Sequence, residues 1–122
     1  MRFLDMAIQL CDATFSNKVG SVHYNKHKSE FPNLTKKQYL NQAKEITESK
    51  QMKGEIQYKR KDGSKAKYNL QTNILTIWYP KEDRIATHFK PKFNPKTGTV
   101  NTKESYEYVR NDMKKNGKQP PF

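Results

Sequence analysis

The chain has 122 residues, enough for one domain with a single modest core. Its 24 Lys and Arg residues outnumber its 12 Asp and Glu residues and give a net charge of +12, while its single cysteine excludes an intrachain disulfide and a cysteine zinc cluster. The apolar runs are too short for a membrane span, and the acidic Asp5 and Asp12 argue against a secretory signal.

The first part of the chain carries helical signals. Apolar residues at helical spacing predict a helix within residues 2–15, and a short second helix is expected over residues 22–31. Thr35 followed by Gln38 has the pattern of a capping box, which predicts that a further helix over residues 36–49 begins there.

From residue 54 the apolar period changes to two, which is typical of strands. Asp62-Gly63 is a strong hairpin signal, and Gln71-Thr72-Asn73 is a second tight turn. A last helix is expected over residues 103–116. The pattern predicts a four-stranded antiparallel meander over residues 55–60, 65–70, 74–79 and 84–89.

The predicted fold class is α+β, with N-terminal helices packed on one face of the four-stranded meander and a C-terminal helix after it. An antiparallel sheet can keep one face in water, so the second face is expected to carry polar and basic side chains. The tail, residues 117–122, is expected to be frayed.

The net charge of +12 predicts a polyanionic partner, because Lys and Arg that neutralise phosphates release condensed counterions. The alternatives are an acidic protein partner and a purely solubilising surface. Aromatic residues interleave with the basic ones, and stacking of a base on such a ring contributes about 1–3 kcal/mol. The predicted RNA-binding residues are Lys59, Lys67, Tyr79, Arg84, His88 and Lys90.

His23 and His27 are four residues apart, so on a helix they share one face. They have three possible interpretations: two exposed histidines on a polar helix, a zinc site with His88 as third ligand, or acid–base catalysis. The zinc interpretation lacks the glutamate of the His-Glu-x-x-His motif and a nearby group of Cys or carboxylate ligands, so no metal or other cofactor is expected.

Metal-independent cleavage of RNA needs a base for the 2′-hydroxyl proton, an acid for the 5′ leaving oxygen, and donors for the extra charge on the phosphate. Histidine suits the first two roles because its pKa lies near neutrality. His23, Lys26 and His27 supply such groups. Thr87 is the candidate phosphate contact from the last strand, where a regular strand would turn its neighbour His88 to the opposite face.

Four short motifs in a fixed order resemble the C-terminal toxin domains of bacterial polymorphic toxins. These are the nuclease tips of contact-dependent-inhibition and LXG-type effectors, grouped with the barnase, EndoU, colicin D and RelE-like ribonucleases. The motifs are His-Tyr-x-Lys-His-x-x-Glu-Phe (23–31), Tyr-Leu-x-x-Ala (39–43), Tyr-x-x-x-Thr-Asn (68–73) and Ile-Ala-Thr-x-Phe-x-Pro (85–91).

The resemblance implies metal-independent cleavage of RNA, often tRNA, that leaves a 2′,3′-cyclic phosphate. It makes His27 the leading acid–base candidate, assisted by Lys26 or His23, with Thr87 contacting the phosphate. It implies an acidic cognate immunity protein, and delivery from a producing bacterium, within a larger secreted or surface toxin, to the cytoplasm of a target cell.

The resemblance also implies a division of the chain. Residues 1–19 are expected to form a helix or a linker to a larger toxin, residues 20–116 the ribonuclease domain, and residues 117–122 the tail. Two other functions stay open: a non-catalytic basic module that binds RNA or DNA, and a metal-dependent DNase toxin.

Overall fold

The computed structural model describes residues 17–122, so the helix predicted within residues 2–15 lies outside the described part of the chain. The described helices are α1 (Asn17–His27), α2 (Lys36–Glu48) and α3 (Thr102–Lys115), with 3-10 turns at Lys28–Glu30 and Pro80–Glu82. The described strands are β1 (Glu55–Lys59), β2 (Lys65–Asn69), β3 (Ile74–Tyr79), β4 (Arg84–Phe89), β5 (Phe93–Asn94) and β6 (Thr99–Val100).

The predicted α+β meander is confirmed. Strands β1 to β4 form one antiparallel sheet in sequence order, and β5 and β6 form a separate two-stranded hairpin. Gly63 takes a φ of 90° in the β1–β2 turn, a conformation that glycine adopts without a steric penalty.

The start of α2 also follows the prediction. The Thr35 hydroxyl accepts a hydrogen bond from the backbone N–H of Gln38 at 3.2 Å, and the Gln38 side chain accepts one from the Thr35 N–H at 2.8 Å. This reciprocal capping box satisfies two amide groups that a helix start leaves unpaired. The preceding helix α1 differs from its prediction, since it ends at His27 and the chain continues as a 3-10 turn.

The sheet is covered by helices on both faces, so the prediction of a wet, basic second face is wrong. On one face, Ala43 of α2 packs against Trp78 and Ile85. On the other, Val109 and Met113 of α3 are buried against strand residues such as Tyr58, Ala66, Tyr68, Leu75 and Ile77. The four-residue spacing of the two α3 side chains gives that helix an apolar stripe, which buries the second face.

A β-bulge in β4 changes which residues share a face. Ile77 pairs with Thr87 and Trp78 pairs with Ile85, so Ala86 is an extra residue on β4. The extra residue reverses the alternation of side chains along the strand. Ile85 and His88 are therefore both buried towards α2, whereas Thr87 shares the α3 side of the sheet with Ile77.

The last residue of the C-terminal tail packs on the core, which differs from the predicted frayed tail. The ring of Phe122 stacks on Tyr68 with centroids 6.1 Å apart and meets the edge of Tyr106 at 5.4 Å. The carbonyl of Phe122 accepts a hydrogen bond from Nε of Arg110 at 2.7 Å. These contacts fix the end of the chain on the core beneath α3.

Candidate active site

A histidine and a glutamate form a close pair where α1 ends. The 3-10 turn after His27 carries Glu30 back beneath the helix, and Glu30 Oε2 lies 2.5 Å from His27 Nδ1. Both side chains are about nine-tenths buried, at 11% and 9% exposure. Because Nδ1 faces the carboxylate, Nε2 is the ring nitrogen of His27 on the side away from Glu30.

The Glu30 carboxylate is also tied to the end of the sheet. Its Oε1 accepts a hydrogen bond of 2.6 Å from the backbone N–H of Lys90, directly after β4. The His27 ring packs on Phe89, the last residue of β4, with centroids 5.5 Å apart. These two contacts hold the imidazole in one orientation relative to the sheet.

His23 lies one helical turn before His27, as predicted. The two rings are nearly parallel, with centroids 6.0 Å apart and an interplanar angle of 17°. Burial lowers the pKa of the His23 imidazole, and the neighbouring His27 and Lys26 lower it further. His23 is therefore a neutral imidazole near pH 7, the form that can accept a proton.

Lysines lie on both sides of His27 in the chain, and a third, Lys90, lies near Glu30. Lys26 and Lys28 are exposed on either side of His27 in the chain. The ammonium group of Lys90 lies 5.2 Å from the centroid of the Phe31 ring, next to Glu30. An anionic ligand that reached the histidines would meet positive charge, which favours binding of a phosphate.

His88 is a structural residue, and its predicted contact with RNA is wrong. The side chain is fully buried, with Nδ1 2.8 Å from the Thr76 hydroxyl and Nε2 2.7 Å from Gln42 Oε1. Since the amide oxygen only accepts, Nε2 carries the proton and Nδ1 accepts from the threonine. Burial, with a smaller contribution from His27, lowers the pKa of His88 to about 3.

Lys67 is likewise buried, so its predicted role in RNA binding is wrong. Its ammonium donates to the carbonyls of Ile46 at 2.7 Å and Ser49 at 2.6 Å, and to the Ser49 hydroxyl at 3.1 Å. These carbonyls lie at the C-terminal end of α2, where backbone acceptors lack helical partners and the helix dipole favours a cation. Burial lowers the pKa of Lys67.

Thr87 is half-buried on β4, and its predicted phosphate contact stays a prediction. The bulge turns it away from the α2 side of the sheet, where His88 lies. Among the described side chains, no hydrogen bond joins Thr87 to His27.

The other predicted RNA contacts lie away from the histidines. The Arg84 guanidinium sits 4.3 Å from the centroid of the Tyr79 ring, and the Tyr79 hydroxyl donates to Asp62 at 2.7 Å. Arg84 begins β4 and Phe89 ends it, so the strand separates them by about 17 Å. Lys59 is exposed at the end of β1, and Lys90 alone of this set reaches the candidate site.

Glu30 is the site residue that sequence reasoning missed. Its position three residues after His27 is a usable signal, because such a spacing brings side chains together on a helix or a 3-10 turn. Within residues 17–122, no group of three His, Cys, Asp or Glu side chains is arranged to hold a metal ion.

The described helices are all too short or too polar to cross a bilayer. No family model and no curated protein matches this chain.

Proposed function

We propose that this protein is a metal-independent endoribonuclease whose centre is the group formed by His23, His27 and Glu30. The observation that carries the proposal is a carboxylate-bound imidazole beside a second imidazole of lowered pKa. Such pairs, whose environments differ, are typical of acid–base catalysis. The net charge of +12 and the surrounding lysines favour a polyanionic substrate.

The two histidines divide the proton transfers between them. Neutral His23 takes the proton from a ribose 2′-hydroxyl, and the 2′-oxygen attacks the adjacent phosphorus. The bond from phosphorus to the 5′-oxygen breaks, and His27 gives that oxygen a proton from Nε2. The products are a 2′,3′-cyclic phosphate and a 5′-hydroxyl end, and DNA is not a substrate because it lacks the attacking hydroxyl.

The remaining groups position the His27 ring and stabilise the negative charge that develops on the phosphate. Glu30 is a positioning residue that fixes the ring orientation of His27 and is itself held by the Lys90 amide. Lys26 and the side chain of Lys90 offset the negative charge that grows on the phosphate. Thr87 is proposed as a further phosphate contact, made only once substrate lies along β4.

The biological setting of the proposal comes from the resemblance to toxin nuclease domains. The substrate is RNA, with tRNA as the first candidate. The domain is a bacterial toxin that acts in the cytoplasm of a target cell after delivery within a larger protein. An acidic immunity protein neutralises it in the producer, which suits the net charge of +12.

Cleavage of total tRNA by the purified protein in EDTA tests the proposal. Discrete fragments with cyclic phosphate ends are expected, and His27→Ala should lower the rate by about 100-fold or more. Lys81→Ala removes an exposed lysine far from the site along the chain and serves as the matched control. Intact RNA at high enzyme concentration would reject the ribonuclease.

A second function is favoured by the burial of His27 and Glu30, which limits access to the pair. In that case the protein is a non-catalytic module that binds RNA or DNA through its surface lysines. It would show salt-sensitive binding that His27→Ala leaves unchanged, and no fragments.

A further inference from the structure

A cavity of about 210 Å³ is lined in part by Lys90, the residue whose backbone N–H donates to Glu30. It opens between the β2–β3 turn, the β5–β6 hairpin and the first turn of α3. Its walls mix two half-buried rings with aliphatic and hydroxyl groups: Phe93, Tyr106, Leu70, Val100, Thr72 and Thr102. Flat rings beside small polar groups form a surface suited to a flat, polar-edged ligand.

One backbone carbonyl ties two walls of this cavity together, the β2–β3 turn and the first turn of α3. The Pro91 carbonyl accepts hydrogen bonds from Asn73 Nδ2 at 3.1 Å and from the Ser105 hydroxyl at 2.8 Å. Asn73 is in turn fixed by the Tyr68 hydroxyl, which donates to its Oδ1 at 2.6 Å. A ligand would therefore enter a preformed space, at little cost in ordering the protein.

Lys90 connects the cavity to the candidate active site. It lines the cavity, and its N–H donates to the carboxylate that holds His27. An RNA chain bound with a phosphate at the histidines and a base in this cavity would therefore contact Lys90.

We propose that this cavity binds the unpaired base of a nucleotide next to the scissile phosphate, an inference that rests on the proposed ribonuclease function. The volume is below the roughly 300–1,000 Å³ of sites for drug-sized ligands, and it suits a single ring system. Proteins read RNA mainly at single-stranded bases that stack on aromatic side chains and offer their edges to hydrogen bonds. Phe93 and Tyr106 supply the rings, and Thr72 and Thr102 supply hydroxyl groups at the edge.

Phe93 is the best residue to change, because it is half-exposed and outside the buried core clusters, whereas Tyr106 packs against Tyr68 and Phe122. The experiment titrates the ¹⁵N-labelled protein with the four nucleoside 5′-monophosphates, which have no bond to cleave. The amides of residues 71–73, 93, 98 and 102 should shift for at least one of them. Phe93→Ala should weaken that binding about 10-fold or more, and Phe93→Tyr should retain it.

Met52→Ala is the control, since Met52 is an exposed apolar residue outside the cavity, and it should bind as the wild type does. Val100→Trp gives a second test, because a bulky ring at the cavity wall should abolish the shifts without touching the core. Unchanged binding in both cavity variants, or shifts confined to other parts of the surface, would overturn the inference.

The two proposals fail separately. If the wild type cuts RNA but no mononucleotide shifts the cavity amides, the base site is wrong and the ribonuclease stands. If mononucleotides bind in the cavity but no RNA is cut, the base site survives as part of a binding module and the ribonuclease is rejected.

Discussion

Replacing His88 by glutamine should reduce the loss of stability of the fold at acidic pH. The His88 side chain is fully buried as the neutral imidazole, and its pKa falls from an ordinary 6.5 to about 3. Above pH 6.5 neither the folded nor the unfolded chain protonates this residue. Below pH 6.5 His88 is protonated in the unfolded chain but stays neutral in the folded chain. The free energy of unfolding therefore falls as the pH drops towards 3.

The size of this loss of stability follows from the difference between the pKa of His88 in the unfolded and in the folded chain. Each pH unit below 6.5 costs the folded state about 1.4 kcal/mol, so His88 should account for a loss of about 2 kcal/mol between pH 7 and pH 5. Glutamine does not titrate, and it can keep hydrogen bonds to Thr76 and Gln42. The difference in stability between pH 7 and pH 5 should therefore shrink by about 2 kcal/mol in His88→Gln.

Urea unfolding followed by the fluorescence of Trp78, the single tryptophan, measures this difference. Trp78 is buried in the same α2-side layer as His88 and reports on that layer directly. Thr76→Val is the control: it removes a hydrogen bond to His88 but keeps the imidazole, so it should lower stability while the dependence on pH remains. Equal pH dependence in wild type and His88→Gln would refute the reasoning that His88 is buried and neutral.

Three further changes test other parts of the structure. Glu30→Gln should lower the rate of RNA cleavage about 100-fold, while the free energy of unfolding at pH 7 changes little. A loss of folding without any change in specific activity would contradict a positioning role for Glu30. Lys67→Met should lower the free energy of unfolding in urea by about 1–3 kcal/mol, because the carbonyls at the end of α2 lose their donor. The same variant should bind RNA in gel shifts as the wild type does. Weaker RNA binding by a folded variant would restore Lys67 as an RNA contact. Deletion of Phe122 should cost about 1 kcal/mol through lost ring contacts with Tyr68 and Tyr106, whereas a frayed tail would cost nothing.

Local sequence signals determined the order and extent of most described elements. These signals are the capping box at Thr35, the Asp62-Gly63 turn and the apolar period of two. Each depends only on interactions between residues close in the chain, so the sequence pattern is enough to predict it. The shared face of His23 and His27 follows for the same reason, since it depends only on one turn of helix.

Tertiary structure alone decided which polar residues are buried. Lys67 and His88 look like surface residues in the sequence, and they became core groups only because α2 docks over them with matching acceptors. The bulge at Ala86 reversed the faces of β4, which no alternation pattern reveals. The Glu30 carboxylate is held by the backbone N–H of Lys90, which is 60 residues away in the chain. A contact of that range depends on how the whole chain packs rather than on any short segment of it.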